Sequence, residues 1–239
     1  YELTDADSRR KIEEDASAHM QRFIKALKDL MRSGELAAVK INTEIREGVP
    51  EDAIIQYVRS NPPLLVVMGT RSFEKKEREM VGRVCAQVLD GCRFSVLVIP
   101  EGAELRQSDS NMKMLFFANL DQEDILAMDS FYRVFPGMCA KASVVNIPGK
   151  RRLLERAKVD TPESLVAYFR NSYPASEFKA EDIAATDAMV DFDRLQLQNS
   201  YDLIVVPNKK KNLLSRVFNP SLAHRLLFHA DIPMLVIPV

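Results

Sequence analysis

The stretch Met68-Gly69-Thr70-Arg71-Ser72, followed after nine further residues by Gly82-Arg83, is the part of the chain whose residue types suit a phosphate. Glycine lets backbone approach an anion closely, and the start of a following helix offers N–H donors and a partial positive charge. Other chemistry finds less support. The cysteines Cys85, Cys92 and Cys139 form no C-x-x-C and no paired framework, so they read as buried structural thiols. His224 and His229 stand five apart, which misses the spacing of a helical metal pair, and His19 is alone. Asp121, Glu123 and Asp124 could suggest a metal, but they fall where a helix begins, and acids there cap it. Lys209-Lys210-Lys211 with Arg216 could hold phosphate by side chains, although a solvated loop is the plainer reading, as a surface position is for Arg151-Arg152. No nucleophile–base pair and no carboxylate pair has support. The reading is therefore of a protein that is not an enzyme, with no catalytic residue and no metal ligand.

Composition narrows the partners. With 33 Lys and Arg against 34 Asp and Glu, the net charge is −1, which disfavours a dedicated nucleic-acid binder. Hydrophobic residues at 46% and charged residues at 28% are ordinary for a folded protein. Apolar runs are strand-sized, far below the roughly 18 residues of a membrane span. The first residues carry no charged region followed by an apolar one, hence no signal peptide. A cytoplasmic protein with no membrane partner is expected.

Elements follow from periodicity. Residues 5–33 predict a helix, with Thr4, Asp5 and Asp7 as capping candidates. Ile12, Met20, Phe23, Ile24, Leu27 and Leu30 form its apolar stripe, and Gly34 closes it. Residues 38–46 read as a strand. Gly48-Val49-Pro50 then turns into a helix through Ile54, Ile55 and Val58, ended by Asn61-Pro62-Pro63. Leu64–Met68 is a continuous apolar strand suited to burial on both faces; a helix over 81–90 and a strand over 95–99 follow. Polar residues 101–111 read as a linker. Beyond it the alternation restarts: strands at 114–118, 142–147, 178–186, 203–206 and 234–237, helices at 122–136, 161–173, 187–200 and 219–230.

The two halves repeat. Leu65 and Leu203 lie 138 residues apart, and so do Leu97-Val98-Ile99-Pro100 and Leu235-Val236-Ile237-Pro238, with Val66/Ile204, Val88/Leu226 and Leu89/Leu227 in register between them. Two anchors at one offset favour duplication over chance. The same offset carries the first strand of the second half to a position ahead of residue 1. The first half is thus expected to lack its first strand, first helix and second strand, with the chain beginning partway through a longer tandem protein. The predicted fold class is α/β: two tandem Rossmann-like open parallel five-stranded sheets of order 3-2-1-4-5, over residues 1–103 (partial) and 112–239 (complete).

At this point a resemblance becomes specific. Val67-Met68-Gly69-Thr70-Arg71, the helix after it, Val96-Leu97-Val98-Ile99-Pro100, and the Gly48-Val49-Pro50 turn before Ile54 and Ile55 resemble the universal stress protein (UspA) family. The resemblance covers essentially the whole chain. It implies a nucleotide motif Gly-x2-Gly-x9-Gly-Ser/Thr, an aspartate closing the first strand, and ATP as ligand. In the first unit Gly69 and Gly82 match, Ser72 replaces the middle glycine, and Arg83 stands where a hydroxyl is expected; Met68, Thr70 and Arg71 complete the candidate loop. In the second unit the positions read Pro207, Lys210, Pro220 and Ser221, with Asn119 for the aspartate and Asp121 for the serine after it. Proline has no N–H to give, so that cradle is degenerate. Asn219-Pro220 also reads simply as a helix start. The resemblance further implies pairing through the last strands, 95–99 and 234–238, as a homodimer or as a pseudo-dimer within one chain. The alternative is an interaction or oligomerisation module that binds no nucleotide. A third class, an enzyme related to adenine-nucleotide α-hydrolase folds, wants a Ser-Gly-Gly loop after the first strand where this chain has Asn119-Leu120-Asp121.

Overall fold

The structure, a computed structural model, describes residues 5–70, 84–100, 103, 111–146, 161–182, 199–208 and 232–239. The chain separates into two compact units, Tyr1–Val49 and Pro50–Val239.

The first unit holds helix α1 (Asp5–Ser33) and the segment after it. Gly34, at φ 82°, ends the helix, and its N–H donates to the Met31 carbonyl. Only glycine enters that left-handed turn without a Cβ penalty. Thr4 lies outside the described residues. The predicted stripe is not a buried face: Ile12 and Phe23 are more than 60% exposed, and no described residue of this unit is buried. Residues 38–46 correct the expectation of a strand, since they take no regular secondary structure and enter no ladder among the described residues. Their alternation is right for a strand, yet a strand exists only with a hydrogen-bonding neighbour, and in the order 3-2-1-4-5 an outer strand pairs with strand two alone.

The second unit is one seven-stranded sheet. Its elements are α2 (Pro50–Ser60), β1 (Val66–Thr70), the helical residues 84–91 (α3), β2 (Val96–Pro100), β3 (Asn111–Ala118), α4 (Gln122–Val134), β4 (Cys139–Asn146), α5 (Pro162–Ser172), β5 (Glu177–Asp182), β6 (Leu203–Asn208) and β7 (Met234–Pro238). The sheet order is β1-β2-β7-β6-β3-β4-β5. Strands β3 to β7 alone give the 3-2-1-4-5 order of a doubly wound α/β fold, all parallel. Thus the two runs of strands share a sheet instead of forming separate ones. Asn111, assigned to the linker by composition, already belongs to β3. The helices expected at 187–200 and 219–230 lie outside the described residues, apart from 199 and 200.

Register carries the repeat into three dimensions. Val66 pairs with Val96 in β1 and β2, and Ile204 with Met234 in β6 and β7, the same positions moved by one repeat. Between the halves, β2 and β7 pair antiparallel through Val96↔Val236, Leu97↔Leu235 and Val98↔Met234. Exchanging the halves maps this ladder onto itself about Leu97 and Leu235, so the seam is isologous, as in a twofold interface. It also reverses strand direction. The carboxyl ends of β1 and β2 therefore point to one edge of the sheet, and those of β7, β6 and β3 to the other.

Two apolar layers cover the sheet. One joins Val58, Val88, Leu89, Leu115, Phe117 and Ile204; the other joins Met114, Phe116, Phe131, Val144, Phe169 and Leu235. Strand residues alternate between them, as the period of two requires. In the first layer α3 packs closely on α2: a Cβ at Gly91 would stand 2.5 Å from Ile55 Cδ1. We expect Gly91→Val to destabilise by about 1–3 kcal/mol through overpacking, read from the urea midpoint, with Ile55→Ala in the same chain restoring part of the loss.

Candidate functional site

The carboxyl end of β1 brings Met68, Gly69 and Thr70 to one edge of the sheet, while Asn119, just past β3, lies at the opposite edge. The described candidates of the first and second units thus stand at two separate edges. Arg71, Ser72, Gly82, Arg83, Lys210 and Ser221 lie outside the described residues, as do Lys209, Lys211, Arg216, Pro220, Arg151 and Arg152.

At the first edge Met68 packs its side chain into the apolar layer, and Gly69 follows, exposed. No positive φ demands a glycine there, and among the described residues a Cβ would meet nothing within 4 Å. Neither backbone nor packing explains the residue. Among the described residues room is left above it, which suits a ligand that must approach the chain.

The second edge is built differently. Pro207, one repeat on from Gly69, is buried in β6 and paired with Ile237. Beyond β3 the loop Asn119-Leu120-Asp121 leads into α4, and Leu120 adopts φ 58°. A left-handed leucine costs roughly 1–2 kcal/mol, so neighbouring contacts must hold it. Asp124 does so. Its carboxylate accepts the Asn119 N–H at 3.1 and 3.0 Å and the Asp121 N–H at 3.2 Å. Asp124 is fully buried. Burial pushes its carboxyl up to about 6, the charge of Asp121 adds to the rise, and the backbone N–H groups of Asn119, Asp121 and Leu120 pull against it. The acidic trio thus includes a cap, as position predicted, and among the described residues no group of His, Cys, Asp and Glu could hold a metal.

Two asparagines escaped sequence reasoning. Asn146 Nδ2 donates to the Ala118 carbonyl at 2.7 Å, locking the ends of β3 and β4. Asn208, buried at the end of β6, donates from Nδ2 to the Leu89 carbonyl at 3.4 Å, linking the repeats. Strand-ending position was the only signal either carried. The cysteines are free thiols; burial raises Cys85 and Cys92 above the usual thiol range, which makes them poor nucleophiles. No helix among the described residues is long and apolar enough to cross a membrane.

Comparison with known proteins adds three findings. Residues 2–100 match the family model described as the universal stress protein family. Over 74 residues the chain is 36% identical to a universal stress protein of Methanocaldococcus jannaschii; the match takes in 31% of this chain and 44% of that relative, less than half its length. In fold, 93% of the chain superposes on 78% of a universal stress protein from Archaeoglobus fulgidus with a TM-score of 0.60 at 12% identity. It also superposes on 77% of a functionally unknown protein from Pseudomonas aeruginosa with a TM-score of 0.56 at 15% identity. At such identities the two solved structures speak for the fold alone.

Proposed function

We propose that the chain, whose residues 2–100 match the universal stress protein family, is a member of that family and a non-enzymatic, cytoplasmic regulatory module of the tandem type. Its repeats, 1–103 and 112–239, act as an intramolecular pseudo-dimer joined at the β2–β7 seam. Adenine nucleotide, ATP in the first instance, is held by the first repeat alone, on the loop that starts with Met68, Gly69 and Thr70. The second repeat is a closed copy.

One observation carries this asymmetry. At Asn119-Leu120-Asp121 the N–H donors that could greet a nucleotide are already given to Asp124, a buried anion supplied by the chain. Gly69, whose counterpart one repeat on is the buried Pro207, is exposed at the end of β1, and among the described residues nothing lies within 4 Å of where its Cβ would stand. A ligand binding there would do no bond-making; it would bias which partners the module engages, by its preference for one state of the chain.

Thermal or urea unfolding with Mg-ATP tests the reading. A ligand at a hundred times its dissociation constant adds about 2.7 kcal/mol. We expect that gain in the unaltered chain and in Pro207→Gly, and its loss in Gly69→Val, whose side chain enters the space above β1. Absence of any nucleotide-dependent gain would favour instead an interaction module that binds none.

A further inference from the structure

The amino ends of β3, β4 and β5 enclose a cavity of about 720 Å3 whose walls include Lys113, Lys141, Arg170 and Lys179 against one acid, Glu177. It lies at the far end of β3 from Asn119, away from the strand ends considered above. Its size falls among small-molecule sites, roughly 300–1,000 Å3.

Its charges are poorly matched from within. Lys113 and Lys141 are direct cross-strand partners on one face of the sheet. Like charges so placed repel; Lys141 has an opposite charge directly across the sheet, Glu177 on its other side. The Lys113 ammonium donates to a neutral acceptor, the Asn199 carbonyl, at 3.1 Å. Lys141 has Glu177 at 3.5 Å, an exposed pair of small worth. Lys179 is better served, by Glu181 at 2.5 Å and Asn199 Oδ1 at 3.2 Å. Arg170 gives two donors to the Phe178 carbonyl, at 3.0 and 2.6 Å, leaving the rest of its fork. Backbone bonds fix this end of β3 to the start of β6: the Lys113 N–H donates to Asp202 Oδ2 at 2.9 Å and the Asp202 N–H to the Lys113 carbonyl at 2.8 Å.

We propose that this cavity is a binding site for a compact, multiply charged anion of the phosphate class, held between Lys113 and Lys141 with Arg170 at its side. Lysines supply point charge and arginine a planar fork, the combination that phosphate oxygens use best. The ligand is distinct from the nucleotide assigned to the Gly69 loop.

Calorimetric titration of the whole chain with inorganic phosphate, pyrophosphate, adenosine monophosphate and citrate tests this. Pyrophosphate is expected to bind, and the double variant Lys113→Gln, Lys141→Gln to weaken it at least tenfold. Arg133→Gln, the loss of one positive charge at an exposed position on α4, should leave it unchanged, and so should Gly69→Val. The double variant should melt no lower than the parent in phosphate-free buffer, because it relieves a repulsion. A stronger response to adenosine monophosphate than to phosphate would identify the source as a phosphorylated metabolite; the reverse would identify free phosphate. Unchanged pyrophosphate binding in the double variant, its loss in Gly69→Val, or citrate binding as tightly as pyrophosphate would each overturn the proposal.

Discussion

Replacing Phe169 by alanine is expected to cost about 3–5 kcal/mol, a large share of the 5–15 kcal/mol by which a domain is ordinarily stable. Phe169 is fully buried where α5 meets the sheet. Its ring stands edge-on to Phe116 at 5.7 Å and tilted to Phe178 at 5.4 Å, with Tyr168 and Tyr173 at 6.2 and 6.3 Å. Truncation removes transfer energy and several aromatic contacts, and β3 and β5, being paired strands, cannot collapse into the gap. Tyr168→Ala, one residue earlier but 45% exposed, should cost about 1 kcal/mol or less. Urea midpoints of the two variants decide it. Equal losses would mean that α5 is not anchored by the ring beneath it. The loss should also reach the basic cavity, since Arg170, the next residue, ties α5 to the Phe178 carbonyl.

How far such features could be read without coordinates depends on how local their cause is. Strands β2, β6 and β7 were legible because burial makes them apolar runs, and the repeat placed them twice; β1 reads the same way in sequence, yet it stands at the sheet edge with Val67 56% exposed, which corrects the expectation of burial on both faces. Residues 38–46 were not: alternation of Val39, Ile41 and Ile45 is a local property, whereas a ladder needs a neighbour that periodicity does not name. The helix-start role of the acids after Asn119 was visible from position, yet nothing in the residue type told Asp124 from Glu123, and only the folded loop makes one of them fully buried. Lys113, Lys141 and Lys179 sit on three strands, each looking like a solvated lysine. Register makes Lys113 and Lys141 opposite one another, and register follows from the whole sheet. The candidate loop at Met68, Gly69 and Thr70 was readable because its chemistry is contiguous; that Asn119 faces the other edge followed only from the antiparallel seam.

Asp124 supplies the second large effect, a pH dependence of unusual sign for a carboxylate. In the folded chain its carboxyl titrates at about 6, against an ordinary value of 3.8. The folded state therefore holds this proton more tightly than the unfolded one, so the contribution is fully present below about pH 4 and is lost as pH rises through about 6. At 1.36 kcal/mol per unit, the loss amounts to about 3 kcal/mol. Asp124→Asn keeps an acceptor for the N–H groups of Asn119 and Asp121 but cannot ionise. Its stability, followed by urea unfolding from pH 4 to pH 8, should gain on the parent by about that amount across the interval. Parallel curves would show that water or a cation reaches the carboxylate and that the loop is open. Asp124→Ala is the harsher change: it strands buried donors at about 1–3 kcal/mol each and frees the left-handed Leu120 to relax. Because the same N–H groups are those a nucleotide would need, Asp124→Ala should release donors at the second edge without supplying what Pro207 and Asn119 still lack. An alanine variant that acquires a second ATP site would show that Asp124 alone had closed it.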